Sequence, residues 1–253
     1  DKVLAWDTQG RPWMVTGFDG VTTYAYEGDG RIPSQVSSPM EHVTQIASHD
    51  GLVDSVTDPD GKVTRYFYDA ERRLERVRDP LDHDTVYTYD GAGNVETVTN
   101  PEGEITKTVY DDAGQLTSQA GPADSEAGLT ATTTTFTYDA GGRPETTTDP
   151  EGSVTKNVYD TSGRLATVIG PTDDVTDPDA PRTVTTYGAL GEIATVTDSE
   201  GGVTSFTYWS LGRKKTETDP NGNVTNFHYD DDGNLTEVED PYGKITKTDY
   251  DAA

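Results

Sequence analysis

The sequence predicts an all-β protein built from repeated antiparallel β-hairpins, about 21 residues per unit, forming a curled or spiral ribbon. Three observations predict it. Tyrosine followed by aspartate recurs at Tyr68-Asp69, Tyr89-Asp90, Tyr110-Asp111, Tyr138-Asp139, Tyr159-Asp160, Tyr229-Asp230 and Tyr250-Asp251. A glycine stands four residues after the tyrosine in nearly every unit. A second turn signal, Asp-Pro-x-Gly, recurs between the tyrosines, as in Asp58-Pro59-Asp60-Gly61 and Asp219-Pro220-Asn221-Gly222. Two turn signals per period leave room for two strands of roughly six to eight residues each and for no helix of useful length.

Weaker copies place Trp6, Tyr26, Ala47, Tyr187 and Tyr208 at the same anchor position. The anchors are then 21 residues apart, except for one spacing of 20 and two of 28. This pattern makes residues 1–253 a single repeat region of about eleven units. Residues 27–50, where Pro33, Pro39 and Ala47 break the pattern, are expected to be irregular. The two long spacings place insertions near 121–133 and 170–182. Each follows a Gly-Pro pair, Gly121-Pro122 or Gly170-Pro171, where other units have Asp-Pro, so both lengthen the same kind of turn. Departures from a repeated scaffold are where individual binding is expected.

Each position in the unit has a physical task. The glycine after the tyrosine, as at Gly93, Gly114, Gly142, Gly163 and Gly233, suits a hairpin turn that needs a positive φ. Arg72 takes its place in one unit. An outgoing strand follows, carrying Leu74, Val95, Leu116, Leu165 or Leu235 and then Val77, Val98, Val168, Val196 or Val238. Asp-Pro-x-Gly is a type I turn signature and reverses the chain at the other edge. The returning strand carries threonine four residues before the anchor, including Thr64, Thr106, Thr155 and Thr225. Side chains alternate along a strand, so that threonine and the anchor share one face. Ladders of these threonines and of Tyr68, Tyr89, Tyr110, Tyr138, Tyr159 and Tyr229 are expected, with the rings largely buried. Wide sheets twist and curl, which puts the tyrosine face on the concave side.

Composition narrows the function. Only 31% of the chain is hydrophobic, so any core is thin or spread out. Cysteine is absent, which excludes disulfides, thiolate zinc sites and thiol catalysis. Nineteen basic against 46 acidic residues give a net charge of −27, which opposes binding to nucleic acid. No apolar run is long enough to insert into a membrane. The chain opens on Asp1 with no signal-peptide pattern and reads as a piece of a longer polypeptide. His42, His49, His83 and His228 have no repeated spacing, and Asp230-Asp231-Asp232 does not meet the EF-hand pattern. No Gly-x-Ser-x-Gly element occurs. The aspartate of each Tyr-Asp pair reads as a turn cap, since a catalytic acid has no reason to be repeated in every unit. No catalytic residue, metal ligand or cofactor is therefore expected.

Tyr159-Asp160-Thr161-Ser162-Gly163-Arg164-Leu165, with the later Asp-Pro-x-Gly, resembles the YD repeat of the RHS-repeat family. The resemblance covers nearly the whole chain, more loosely before residue 50. It implies a segment of an RHS-type β-cocoon, in a protein that is secreted or at the surface of a bacterial cell. The family includes polymorphic bacterial toxins, the shells of insecticidal toxin complexes and the animal teneurins. One implied function is thus a non-catalytic wall segment of a shell around a toxin, whose partners are other segments of the parent polypeptide or the enclosed cargo. The alternative is a surface adhesion module that binds glycan or protein through its rim loops. Nothing here resembles the family's C-terminal cleaving segment, so no catalytic residue carries over.

Overall fold

The computed structural model describes residues 4–17, 20–38 and 42–250. It is all-β apart from short helical turns and divides into two compact units, Asp1–Thr133 and Thr134–Ala253. The first unit contains β1 (Leu4–Trp6), β2 (Pro12–Gly17), β3 (Gly20–Ala25), β4 (Gln35–Ser37), β5 (Val43–His49) and β6 (Leu52–Thr57). It continues with β7 (Val63–Tyr68), β8 (Leu74–Arg78), β9 (Asp84–Tyr89), β10 (Val95–Thr99), β11 (Ile105–Tyr110) and β12 (Leu116–Ala123), then helix α1 (Glu126–Ala131). The second contains β13 (Thr134–Tyr138), β14 (Pro144–Thr148), β15 (Val154–Tyr159), β16 (Leu165–Thr172), β17 (Arg182–Tyr187) and β18 (Ile193–Thr197). It ends with β19 (Val203–Tyr208), β20 (Lys214–Thr218), β21 (Val224–Tyr229), β22 (Leu235–Glu239) and β23 (Ile245–Lys247). Within each unit every strand pairs antiparallel with the next.

Both turns of the hairpin repeat use one construction. In the tyrosine turn, the amide of Asp160 donates to the Arg164 carbonyl at 2.8 Å, and Gly163 donates to the Asp160 carbonyl at 2.9 Å. The Asp160 carboxylate accepts from the amides of Ser162 and Arg164, both at 2.9 Å. The Asp219 turn at the other edge repeats this with Gly222, Asn221 and Asn223. Five residues thus close on a single aspartate, whose carboxylate satisfies amides that would otherwise face only water. The residue three after the aspartate must take a positive φ: it is +92° at Gly93 and Gly233, +78° at Gly114, +77° at Gly142 and +81° at Gly163. Arg72 and Asp82 hold the same conformation at +67° and +65° without being glycine.

Every described hairpin closed by a tyrosine-type turn except β3–β4 also carries a β-bulge that periodicity alone does not reveal. Tyr68 pairs with Leu74 but Phe67 pairs with Arg76, so Glu75 is an extra residue. The same shift recurs after Tyr89, Tyr110, Tyr138, Tyr159, Tyr187, Tyr208 and Tyr229. An extra residue at a fixed place bends the outgoing strand and increases its local twist wherever it occurs.

The irregular stretch follows its own register. The β5–β6 hairpin closes through Asp50-Gly51, both at positive φ, one residue shorter than its neighbours. Ser48 then pairs with Val53, as Tyr68 pairs with Leu74, so the anchor position falls on Ser48 and not on Ala47. On the preceding hairpin, Ala25 pairs with Gln35, which inserts one residue and restores the period. Pro39 lies outside the described residues.

There is no enclosed core of the usual kind. Among the described residues only Ala120, Ala123, Leu129 and Ala180 are buried, and all four lie in or beside the insertions. The first insertion folds into α1, capped by Ser125, and Leu129 packs on Ala120, Ala123 and Ile105. The second is held by Arg182, whose guanidinium donates to the carbonyls of Asp177 and Pro178 at 2.9 and 2.7 Å. Elsewhere the sheet is a single layer, which explains how 31% hydrophobic residues suffice. Tyr68, Tyr89, Tyr110, Tyr138, Tyr159 and Tyr229 are partly buried: their own sheet covers much of each residue, and among the described residues no second layer lies over their face.

Candidate functional site

The edge carrying the tyrosine turns concentrates the repeated chemistry. The inter-hairpin ladder between β8 and β9 runs only from Arg76 to Arg78 and stops short of Leu74. The Tyr89 hydroxyl reaches past its end and donates to the Leu74 carbonyl at 2.7 Å. Tyr26, Tyr68, Tyr159, Tyr187 and Tyr250 do the same to Pro12, Val53, Pro144, Leu165 and Leu235, at 2.8–3.1 Å. In every case the acceptor is the residue that the bulge sets opposite the previous anchor. The phenol therefore substitutes for the ladder bond that the bulge removes. Where the residue two before the anchor is Thr108, its hydroxyl takes the equivalent Val95 carbonyl.

An arginine completes the link. The Arg73 guanidinium donates to the Asp69 carboxylate at 2.7 Å and lies 4.5 Å from the centre of the next unit's Tyr89 ring. Arg11, Arg143 and Arg164 repeat this on Asp7, Asp139 and Asp160, over Tyr26, Tyr159 and Tyr187 at 4.3–4.4 Å. Each arginine so connects its own turn to the next hairpin through a cation–π contact. Sequence reading finds the aspartate and the tyrosine but not the arginine's second partner, which lies one unit further along the chain.

Trp209 stands where the aspartate belongs in one unit, and the link loosens. Arg213 sits 5.5 Å from the Tyr229 ring, and its buried Nε has no hydrogen-bond partner. Replacing Trp209 with Asp is expected to draw the guanidinium onto Tyr229 and raise the thermal midpoint of the second unit. An unchanged or lower midpoint would show that the Lys215–Trp209 contact at 4.5 Å matters more.

The predicted ladder threonines have a different role from their neighbours. Thr64, Thr106, Thr155 and Thr225 stand opposite Val56, Val98, Thr147 and Glu217 of the preceding strand. Hydroxyl pairs form instead on the other face, one residue before the anchor. Thr88–Thr97, Thr137–Thr146 and Thr186–Thr195 meet at 2.7 Å, and Thr207–Thr216 at 2.6 Å.

Several of the turn carboxylates are shifted toward the ionised form. The Arg143 guanidinium, with its amide, holds Asp139 below the usual carboxylate range, and the Arg164 amide and guanidinium do so for Asp160. Asn94, Asn223 and Asn234 act likewise on Asp90, Asp219 and Asp230. Asp84, paired with Arg78 and Arg76, is lowered to about 2. A carboxylate whose folded pKa is lowered contributes stability above its unfolded value and loses it as pH falls through the folded value. The thermal midpoint is therefore expected to hold down to the ordinary aspartate value of 3.8 and to drop between there and about 2. A midpoint flat across that window would show that the caps do not contribute.

Among the described residues no group of three or more His, Cys, Asp or Glu is arranged to hold a metal ion. Among the described residues no helix is long and apolar enough to cross a membrane. Solved structures similar in fold include TcdB2-TccC3-Cdc42, with TM-score 0.74, 17% identity and 97% of this chain covered. TcdB2-TccC3 without its hypervariable C-terminal region matches with TM-score 0.72 at 18% identity, again over 97% of this chain. The Photorhabdus luminescens Tc holotoxin pore matches over 97% of this chain with TM-score 0.57 at 16% identity. The chain spans only 15–16% of the length of these structures. No curated protein matches significantly. The RHS repeat family model matches residues 48–84, 73–105, 110–154 and 208–245, together more than half of the sequence. With that match, and with the hairpin, bulge and Tyr–Asp–Arg link repeated along both units, this chain belongs to the RHS repeat family.

Proposed function

We propose that the chain is a non-catalytic wall segment of an RHS-type shell that encloses or presents a toxin, in a protein that is secreted or at the surface of a bacterial cell. The observation that carries this reading is the single-layer construction. Both turn edges satisfy most of their own polar groups, while the tyrosine and valine face stays half-covered and, among the described residues, has no second layer in either unit. A sheet normally buries its apolar face against another layer, and a closed shell supplies that cover with its own interior or its contents. The toxin complexes with the same fold support the reading.

In this role the ladder tyrosines and threonines and the turn glycines are structural. The turn aspartates cap backbone amides and take no part in proton transfer. Partners are the neighbouring segments of the parent polypeptide and the enclosed cargo. The test is limited proteolysis of the full-length polypeptide that contains this region. A terminal segment that resists protease while the shell is intact, and is digested once denaturant loosens the shell, is the expected result. Digestion of that segment before any shell opening would overturn enclosure. Hydrolase activity that vanished on changing one non-repeated acid would overturn the non-catalytic assignment.

A further inference from the structure

At one of the places in the first unit where the arginine-on-tyrosine link is missing, a cleft remains. Arg31 follows Gly30 and precedes Ile32, as Arg164 follows Gly163 and precedes Leu165. In the regular hairpins that arginine covers the next anchor ring. Here the next anchor position is Ser48, because of the shortened Asp50-Gly51 turn. No ring stands under Arg31, which is exposed and makes no hydrogen bond or ion pair among the described residues. An open cleft of 670 Å³ lies at this place, lined among others by Glu27, Arg31, Ile32, Gln45, Ala47 and Ser48. It falls in the size range of ligand sites and is polar.

The geometry points to a tyrosine-accepting site: the cleft bounded by Arg31, Ile32 and Ser48 takes the phenol ring of a tyrosyl side chain from another polypeptide segment. The repeat itself supplies the argument. Where an anchor tyrosine is present, as at Tyr26, it meets the guanidinium of the previous unit on its face and a backbone carbonyl at its hydroxyl. Arg31 brings to the cleft a guanidinium unpaired among the described residues and the chain around Ile32 its backbone carbonyls, although the 27–31 turn takes its positive φ at Gly28 and lacks the regular turn bonds. Ser48, being small, leaves the ring's place to a side chain from outside. Tyrosine fits better than phenylalanine, because only the hydroxyl can donate to a carbonyl. Gln45 and the hydroxyls of Ser34, Ser48 and Ser55 offer hydrogen bonds to the backbone of the segment that carries it.

The probe is N-acetyl-L-tyrosinamide, titrated into the full 253-residue chain by NMR, with N-acetyl-L-alaninamide as the control. Saturable millimolar binding that shifts the amides of Ile32, Ala47 and Ser48, and is absent with the alanine compound, is expected. Arg31→Ala should weaken it roughly threefold to fivefold, the size of an exposed cation–π contact. Ser48→Tyr should abolish it by filling the site from within. Equal binding of both compounds, no saturation, or binding untouched by Arg31→Ala would overturn the proposal. If Ser48→Tyr disturbs the hairpin, the Arg31→Ala comparison decides alone, because that side chain is exposed and holds no partner among the described residues.

Discussion

Replacing Gly170 with alanine is expected to destabilise the second unit by roughly 4 kcal/mol, the sum of a strained backbone and an overlap. Gly170 sits at φ +100°, and a Cβ built on it runs into the backbone carbonyl of Val154. That carbonyl belongs to the paired strand β15 and cannot move aside without breaking the sheet. Gly152 is the internal control. It also has positive φ, at +91°, but nothing lies within 4 Å of an added Cβ. Gly152→Ala is expected to show only the backbone cost, about 1–2 kcal/mol. Denaturant unfolding of the two variants separates the contributions, and equal losses would show that the close approach at Gly170 is unimportant. Gly121, against Ile105 in the first unit, is built the same way and should respond alike.

Tyr89→Ala is expected to cost about 3 kcal/mol, from the half-buried ring and the lost hydroxyl bond. Tyr89→Phe should cost about 1 kcal/mol, because it keeps the ring under Arg73 and gives up only the bond to Leu74. In a repeat structure each hairpin leans mainly on its neighbours, so the effect should be local. Hydrogen exchange is expected to accelerate at β8 and β9, with little change at β2 and β3. Uniform acceleration through the first unit would show that the tyrosine supports a larger cooperative block. No acceleration at β8 after Tyr89→Phe would show that the phenol does not replace a ladder bond.

Much of this architecture is written locally. The aspartate of each turn, the glycine three residues after it and the alternating strands all act within a few residues, so a single sequence exposes them by repetition. Asp160, Gly163 and Leu165 sit where local chemistry puts them. The bulge at Glu75 and its equivalents escapes such reading, because an extra residue on one strand is defined only by its partner across the ladder. The same limit misplaces the anchor of the fifth strand. Ala47 keeps the period of 21, but pairing with β6 sets Ser48 in the tyrosine's place.

What the sequence alone determined is the period, both turns, the all-β class and the absence of a large core. What only the tertiary structure decided is how one hairpin holds the next. The Tyr89 hydroxyl finds Leu74, fifteen residues back, and the Arg73 guanidinium finds the Tyr89 ring on the following strand. Folding of the first insertion onto Ala120 and Ala123 belongs here too. The physical reason is the same throughout. Turn formation is decided by backbone torsions and side chains close in sequence. The inter-hairpin bonds depend on ladder register, which exists only once separate segments have paired.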